Sequence, residues 1–482
     1  MPYLQTDYIS TLLSRLHSIH RVNLFFSNFI SPPFIGKINY ILVIVFFIFS
    51  KSFAQNQEWV STSGGLNNQC GKGICSDNFG NCYVTGVFKR ELIADSISFT
   101  AKGQEDIFLA KYSATGKLKW IKQFGSTDYD FGKALVCDEK GNIFLTGYFG
   151  DTISFDKITL ISKGNSDLFI AKFDSSGNTI WLKQFGGKGF DFGKDISLDK
   201  ADNIFIAGTF QDTMLIGKQT IISNGSSDIF TAKFDKFGDL KWIAISGGKK
   251  YDYGNGIAID KEGNCISTGF FQDTAKFGDT TLISKGYYDI FISKYNNTGE
   301  LLWVRQAGGS GHDEAHGIGI DNAGNCYIGG YYDSDCYFDN IYLKVYNKEV
   351  DDLFIAKYNS KGTIEWAKGA GDFTNDIIYD MVTDSAGNSY ATGVFYGKLN
   401  LGKVSLKSIG SDDSFVIKYD TNGNVVWANQ IGGTGSAYGF AICKNNSGNV
   451  FSTGYFTGKV NAGKNIISAT DKFDMYINKA KE

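Results

Sequence analysis

The sequence predicts an all-β protein, a seven-bladed β-propeller of four-stranded antiparallel blades. Three observations carry that prediction. The seven tryptophans of the chain are Trp59, Trp120, Trp181, Trp242, Trp303, Trp366 and Trp427, and the steps between them are 61, 61, 61, 61, 63 and 61 residues. A fixed period of this length marks a repeat architecture. Each repeat holds four short strand signals bounded by Gly, Asp and Asn, and residues 55–482 show no helical periodicity. The third strand signal of the unit is apolar on both faces, as in Asp167-Leu-Phe-Ile-Ala-Lys-Phe173. A strand with two apolar faces must be covered on both, which sheets stacked face to face around a ring achieve.

Residues 1–54 stand apart. All three prolines lie there, and Ile38 to Ser50 is an apolar run preceded by Lys37 and followed by Ser52-Phe53-Ala54. A basic flank, a short apolar run and small residues form a secretory signal peptide, with cleavage expected after Ala54. Thirteen residues are too few to cross a bilayer, which takes about 20. The expected product is therefore exported, with no membrane span once the signal is cut. Residues 1–36 are an unusually long preface, as a start codon assigned too far upstream would produce.

The remaining chain, 55–482, is read as one propeller domain. The leader carries four basic residues and one acidic one, so the formal charge of −3 for the whole chain becomes −6 for this domain. That argues against a nucleic-acid partner, which usually needs a basic patch. All eight cysteines lie in the domain without metal-type spacing. Cys82, Cys265 and Cys326 share a repeat column with Ile143, Ile204 and Val450, which reads as small buried apolar residues.

The second unit shows the strands in order. The first is Gly132 to Asp138 and the second Asn142 to Phe149. An excursion from Gly150 to Ser166 follows, with room for a hairpin of its own. The third strand is Asp167 to Phe173, and the fourth, Asn178 to Gly186, carries Trp181. The first turn recurs as Asp-x-x-Gly-Asn, at Asp77, Asp138, Asp260, Asp321 and Asp384. Aspartate bonds backbone two residues on and glycine supplies positive φ, so turn chemistry is preferred to calcium, for which one short turn offers too few oxygens. The second strand always carries one glycine (Gly86, Gly147, Gly208, Gly269, Gly330, Gly393, Gly454), which predicts a bulge or a close backbone approach. The third strand has aspartate first and lysine five residues later, on opposite faces. The lysine is expected to lie along an apolar edge with its head in water.

The chain ends are out of phase. A tryptophan strand, Glu58 to Ser63, has no third strand before it, and the last third strand, Asp474 to Lys479, has no tryptophan strand after it. The N-terminal strand is therefore expected to be the outer strand of the last blade. On this reading Trp59→Ala weakens ring closure by roughly 3–5 kcal/mol. No separate sorting domain is expected after the last strand.

The units, for example DEKGNIFLTGYF and SDLFIAKFDSSGNTIWLKQFGGKGFDFGKDISLD, resemble the bacterial SBBP β-propeller repeat family across 58–480. The resemblance implies the propeller fold and an extracytoplasmic, largely non-enzymatic setting, and it brings no shared catalytic residues. The copies depart from the pattern by a two-residue insertion near Val345 to Asp351 and by Asn445 in place of the turn aspartate. Ala171, Gly177 and Trp181 are similar to the blade-docking pattern of pyrroloquinoline-quinone propellers, a matter of packing rather than cofactor. The turn Asp174 to Gly177 resembles the Asp-box of sialidase propellers, with one extra residue before the tryptophan.

Strand parity puts the excursions and the blade-to-blade loops on one face, where loops on a rigid scaffold usually bind. Five such loops place aspartate at the inner strand: Asp130, Asp191, Asp252, Asp313 and Asp376; the other two positions are Gln69 and Ala437. They read either as an acidic ring for a cation or polyhydroxylated ligand, or as carboxylates holding their own loops, the second being preferred. The strongest break in symmetry is His312-Asp-Glu314-Ala-His316, which holds both histidines of 55–482. Two histidines and two carboxylates could ligate zinc, although the spacing is that of a loop entering a strand. The histidines lie in one loop, so a Ser–His–Asp triad is unsupported. No catalytic residue and no cofactor motif is assigned, and calcium is the one cofactor left open. The expected function is a secreted, monomeric binding or scaffold propeller for a protein or glycan. The alternative is a glycan-active enzyme with a carboxylate pair on the same face.

Overall fold

The structure, a computed structural model, describes residues 57–481. The expected signal peptide, with its apolar run 38–50, lies outside the described residues. The described chain forms nine antiparallel sheets, seven of them blades of four or six strands and two of them separate two-stranded hairpins, with no helix among the described residues. None of them therefore contains a helix long and apolar enough to cross a membrane.

Blade two runs Asp130–Cys137, Ile143–Phe149, Asp167–Phe173 and Thr179–Gly187, each strand beside the next. In blade seven, Ala437–Lys444, Asn449–Phe456 and Asp474–Lys481 are joined by Gln57–Ser63 as fourth strand, with Trp59 opposite Lys479. Each inner strand contacts those of both flanking blades, and that of blade one (Gln69–Ser76) meets that of blade seven. The core lies between blades. Phe169, Ala171 and Phe173 pack with Tyr83, Ile107 and Leu109 of blade one, while Leu168 and Ile170 pack with Ile204, Ile206 and Phe210 of blade three. Two apolar faces on one strand thus serve two neighbours.

The tryptophans latch successive blades. The Trp59 indole N–H donates to Ala114 O at 3.0 Å, and those of Trp242, Trp303 and Trp366 reach Asn297, Ser360 and Thr421 carbonyls at 3.0, 3.2 and 3.1 Å. Each acceptor lies in the turn before the fourth strand of the next blade. The ring covers the glycine of that turn: a Cβ on Gly299 would come within 2.7 Å of Trp242.

The excursions do form hairpins, and these have a role the sequence did not disclose. In four junctions the hairpin extends the sheet of the preceding blade. Thr213–Ile216 pairs with the end of Thr179–Gly187, Met214 opposite Gly187. The Gly-Gly ending of the fourth strand permits this, since a Cβ on Gly187 would lie 1.6 Å from Thr213 O.

The third-strand lysines differ from expectation. Lys233, Lys294 and Lys479 are buried. The Lys294 ammonium lies 2.8 Å from Asp260 and that of Lys233 3.4 Å from Asp199, the turn aspartates of their own blades. The sheet brings the second-strand ring and first-turn carboxylate beneath the lysine head, as with Lys233 over Phe205 at 4.8 Å. The partner comes from a different strand, so the parity argument within one strand did not find it. All eight cysteines are free and six are buried.

Candidate functional site at the channel mouth

The first-turn aspartates act as turn formers. Asp138 Oδ1 accepts the backbone N–H of Lys140 and Asn142 at 2.9 and 2.8 Å, and Oδ2 accepts from the Asn142 amide at 2.7 Å, with Gly141 at φ 79°. The turn needs no cation.

The five inner-strand aspartates Asp130, Asp191, Asp252, Asp313 and Asp376 are fully buried. Four hold the loop that precedes them. Asp130 accepts from Ser126 N at 2.6 Å and Oγ at 2.9 Å, and Asp191, Asp252 and Asp313 accept from the N–H of Gly187, Gly248 and Gly309 at 2.8, 2.7 and 2.7 Å. Their carboxylates face the interior rather than solvent. Each sits near the aspartate that starts the third strand of the preceding blade (Asp106, Asp167, Asp228, Asp289, Asp352). Burial first, and this neighbouring carboxylate in addition, push Asp130, Asp191 and Asp313 up to about 8 and Asp252 to about 7. Burial, then Asp372 and Asp352, push Asp376 to about 9.

A carboxyl whose folded pKa is raised stabilises the fold while protonated, fully below its unfolded value near 4, and that stability is lost as pH rises through 7–9. The melting temperature is therefore expected to rise by several degrees between pH 8 and pH 5. Asp376→Asn, which stays neutral, should raise the midpoint at pH 8 and leave it nearly unchanged at pH 5. A midpoint that falls on acidification over this range would show these carboxyls to be ionised at little cost.

His312, Glu314 and His316 do not converge. His312 Nδ1 pairs with Asp333 at 2.8 Å and its ring stacks on Tyr287 at 4.8 Å. His316 Nε2 pairs with Glu314 at 3.1 Å, Nδ1 faces Ile378 O at 3.2 Å, and the ring stacks on Tyr379. Among the described residues, no three His, Cys, Asp or Glu side chains are grouped to hold a metal ion.

His316 belongs to a larger arrangement. Every inner strand has a β-bulge at the same place, where pairing skips one residue. The skipped residues are Lys72, Lys133, Lys194, Asn255, His316, Tyr379 and Phe440 from blades one to seven. The second-strand glycine makes the bulge possible, since a Cβ on Gly147 would stand 1.8 Å from Phe131 O. A bulge re-aims the unpaired side chain. Here it puts one half-buried residue per blade on the strands that line the central channel.

Contacts link these residues around the ring. The Lys72 ammonium is 3.5 Å from the Phe440 ring centre, Phe440 lies 5.0 Å from Tyr379, and Tyr379 stacks on His316 at 5.7 Å. Asn255 donates to Ala315 O at 3.1 Å. Lys133 sits over Phe131 at 5.0 Å, and Lys194 over Phe192 at 5.4 Å and Tyr253 at 5.5 Å. Burial and then the charges of Lys194 and Lys72 bring Lys133 down to about 7. Blades one to three thus give three adjacent lysines, while blades five to seven give a histidine and two aromatics.

The loops above are equally uneven. Tyr129, Phe190, Tyr251 and His312 occupy one column, each in a parallel bridge to the preceding excursion. The first three are exposed, at 46%, 41% and 47%. The bulge ring was missed from sequence except at His316. Aligning the inner strands and asking which column varies most would have found it. The arrangement supplies cations and aromatic faces for binding, with no nucleophile paired to a base.

Comparison with known proteins agrees with the repeat. The profile of the family described as Beta-propeller repeat (SBBP) matches residues 119–148 and 302–334. An uncharacterized WD repeat-containing protein of Acanthamoeba polyphaga mimivirus is 23% identical over 499 residues, covering 83% of this chain and 36% of that protein. The regulatory protein FlaEY of Caulobacter vibrioides is 23% identical over 251 residues, covering 48% and 26%. The chain thus spans about a third or less of these relatives. Among solved structures, the Neurospora crassa Pan2 WD40 domain aligns at TM-score 0.43 and 9% identity, covering 86% of this chain and 89% of that one. Sqt1 from Chaetomium thermophilum aligns at 0.40 and 9%, covering 83% and 97%. The 61-residue repeat and the seven blades make this chain a seven-bladed β-propeller, with repeats at 119–148 and 302–334 that match the SBBP family.

Proposed function

We propose that this propeller is an exported, non-catalytic binding or scaffold module that holds a protein or glycan at its loop-rich face, as a monomer and without a cofactor. One observation carries the reading: the bulge column differs from blade to blade while the structural columns repeat. A framework needs the same residue in each blade, whereas a site for one ligand needs different ones. The likeness to a WD repeat-containing protein supports an interaction scaffold over an enzyme. The glycan-active alternative needs a carboxylate pair within reach of substrate, and the five aspartates singled out for it are buried.

The test is a glycan array with polysaccharide pull-down on the purified protein, with and without calcium. The expected result is stable capture of a ligand, without turnover, that substitutions at the loop-rich face abolish. Release of shortened products would make the protein an enzyme. Capture that requires calcium would restore the acidic ring as a cation site.

A further inference from the structure

We propose that blades one to four form a binding surface for an acidic polysaccharide, with Tyr129, Phe190 and Tyr251 as platforms for sugar rings and Lys72, Lys133 and Lys194 as partners for its carboxylates. The inference rests on the binding-module reading and names the ligand class.

Two independent columns break symmetry in the same part of the ring. The exposed aromatics lie in the loops entering blades two, three and four, where the corresponding residues of blades one, six and seven are Asn68, Asn375 and Ser436. The lysines lie in blades one, two and three. In blades two and three each platform leads down to a cation through one further ring. Tyr129 stacks with Phe131 at 6.4 Å beneath the Lys133 ammonium, and Phe190 with Phe192 at 5.9 Å beneath that of Lys194. Tyr148 bridges the two blades, 4.8 Å from Phe131 and 4.5 Å from Phe192.

Charge argues for an anion. The domain is acidic as a whole, yet three ammonium groups occupy adjacent inner strands. The carboxylates that act on them are few: Glu105 near Lys72 and Lys133, and Glu314 near Lys194. Glu314 is already engaged by His316. Mutual repulsion among the lysines falls when an anion enters, and aromatic walls strengthen that attraction by excluding water. The platforms argue for a polymer of sugars rather than a peptide. They recur once per blade at the same bridged place in the loop, so they offer equivalent positions to a ligand that itself repeats. An aromatic face stacks on the apolar face of a pyranose as it does on another ring.

The experiment is calorimetric titration of the purified protein with three polymers: polygalacturonate, its fully methyl-esterified form and poly-L-glutamate. Polygalacturonate is expected to bind, more weakly as salt is raised, and the ester, which keeps the rings and loses the charge, is not. Lys133→Gln and Lys194→Gln should each weaken binding about tenfold, the loss expected for one hydrogen bond to a charged group. Tyr129→Ala with Phe190→Ala should weaken it by a similar factor at an unchanged melting temperature, since both rings are exposed. Equal affinity for acid and ester, or affinity unmoved by the lysine changes, would overturn the anionic site. Poly-L-glutamate bound as tightly, with the aromatic pair dispensable, would make the ligand an acidic protein segment and overturn the glycan. No binding of any of the three would overturn this proposal, while a ligand captured on the array would keep the module reading intact.

Discussion

Gly147→Ala is expected to destabilise the protein by about 3 kcal/mol, at the upper end of what one misplaced methylene usually costs. The added Cβ would stand 1.8 Å from Phe131 O and 3.1 Å from the Phe169 ring. A backbone oxygen has no rotamer by which to move away. Relief must come from shifting the inner strand, which opens the bulge and displaces Lys133. Gly402→Ala is the control. Nothing lies within 4 Å of its Cβ, and only its φ of 76° opposes alanine, at about 1 kcal/mol. Denaturant unfolding of both variants checks the difference, and a Gly147→Ala midpoint no lower than that of Gly402→Ala would refute the close approach. Where the variant still folds, the Lys133 environment should change with it, visible as altered ligand binding.

Trp59→Ala should cost about 2–4 kcal/mol, somewhat less than the sequence alone suggested, because the indole is half-buried. The loss combines the 3.0 Å bond to Ala114 O, cover for Gly116 and the contact with Phe451 at 6.1 Å. Its neighbours on the same strand also join distant parts of the chain. Glu58 pairs with Lys479 at 2.7 Å, and Ser63 meets the Tyr112 hydroxyl at 3.1 Å. Amide exchange should therefore accelerate in Asp474–Lys481 and in the turn at Ser113–Gly116. Trp242→Ala, which removes the same latch between blades joined in sequence, should loosen only its own junction. An unchanged melting midpoint for Trp59→Ala would sink the view that this strand closes the ring.

Much of the fold was legible because it repeats. The third strand Asp167–Phe173 was read to the residue, since its ends are marked by an aspartate and a turn. The second-strand glycine was read as a bulge or a close approach; it is the close approach, and the bulge lies in the inner strand that faces it. The aspartates at 130, 191, 252, 313 and 376 were found as a column, but whether they face a ligand or their own loops depends on burial. The lysines at 233 and 294 were given to solvent because their partners, Asp199 and Asp260, sit on another strand. His316 was singled out as a possible metal ligand, while its neighbours in the ring, Lys72 and Phe440, went unnoticed.

The sequence by itself determined the blade count, the strand order, the turn chemistry and the double-faced core. These follow from the period, from local backbone preference and from the alternation of side chains along one strand, all of which act within a few residues. Tertiary structure decided which side chains the bulges present, which carboxylates are buried, how hairpins extend the preceding sheets and which cations and rings share an arc of the channel. Those depend on residues about 61 positions apart meeting across a blade junction, often backbone to backbone, and contacts of that kind leave no local pattern to read.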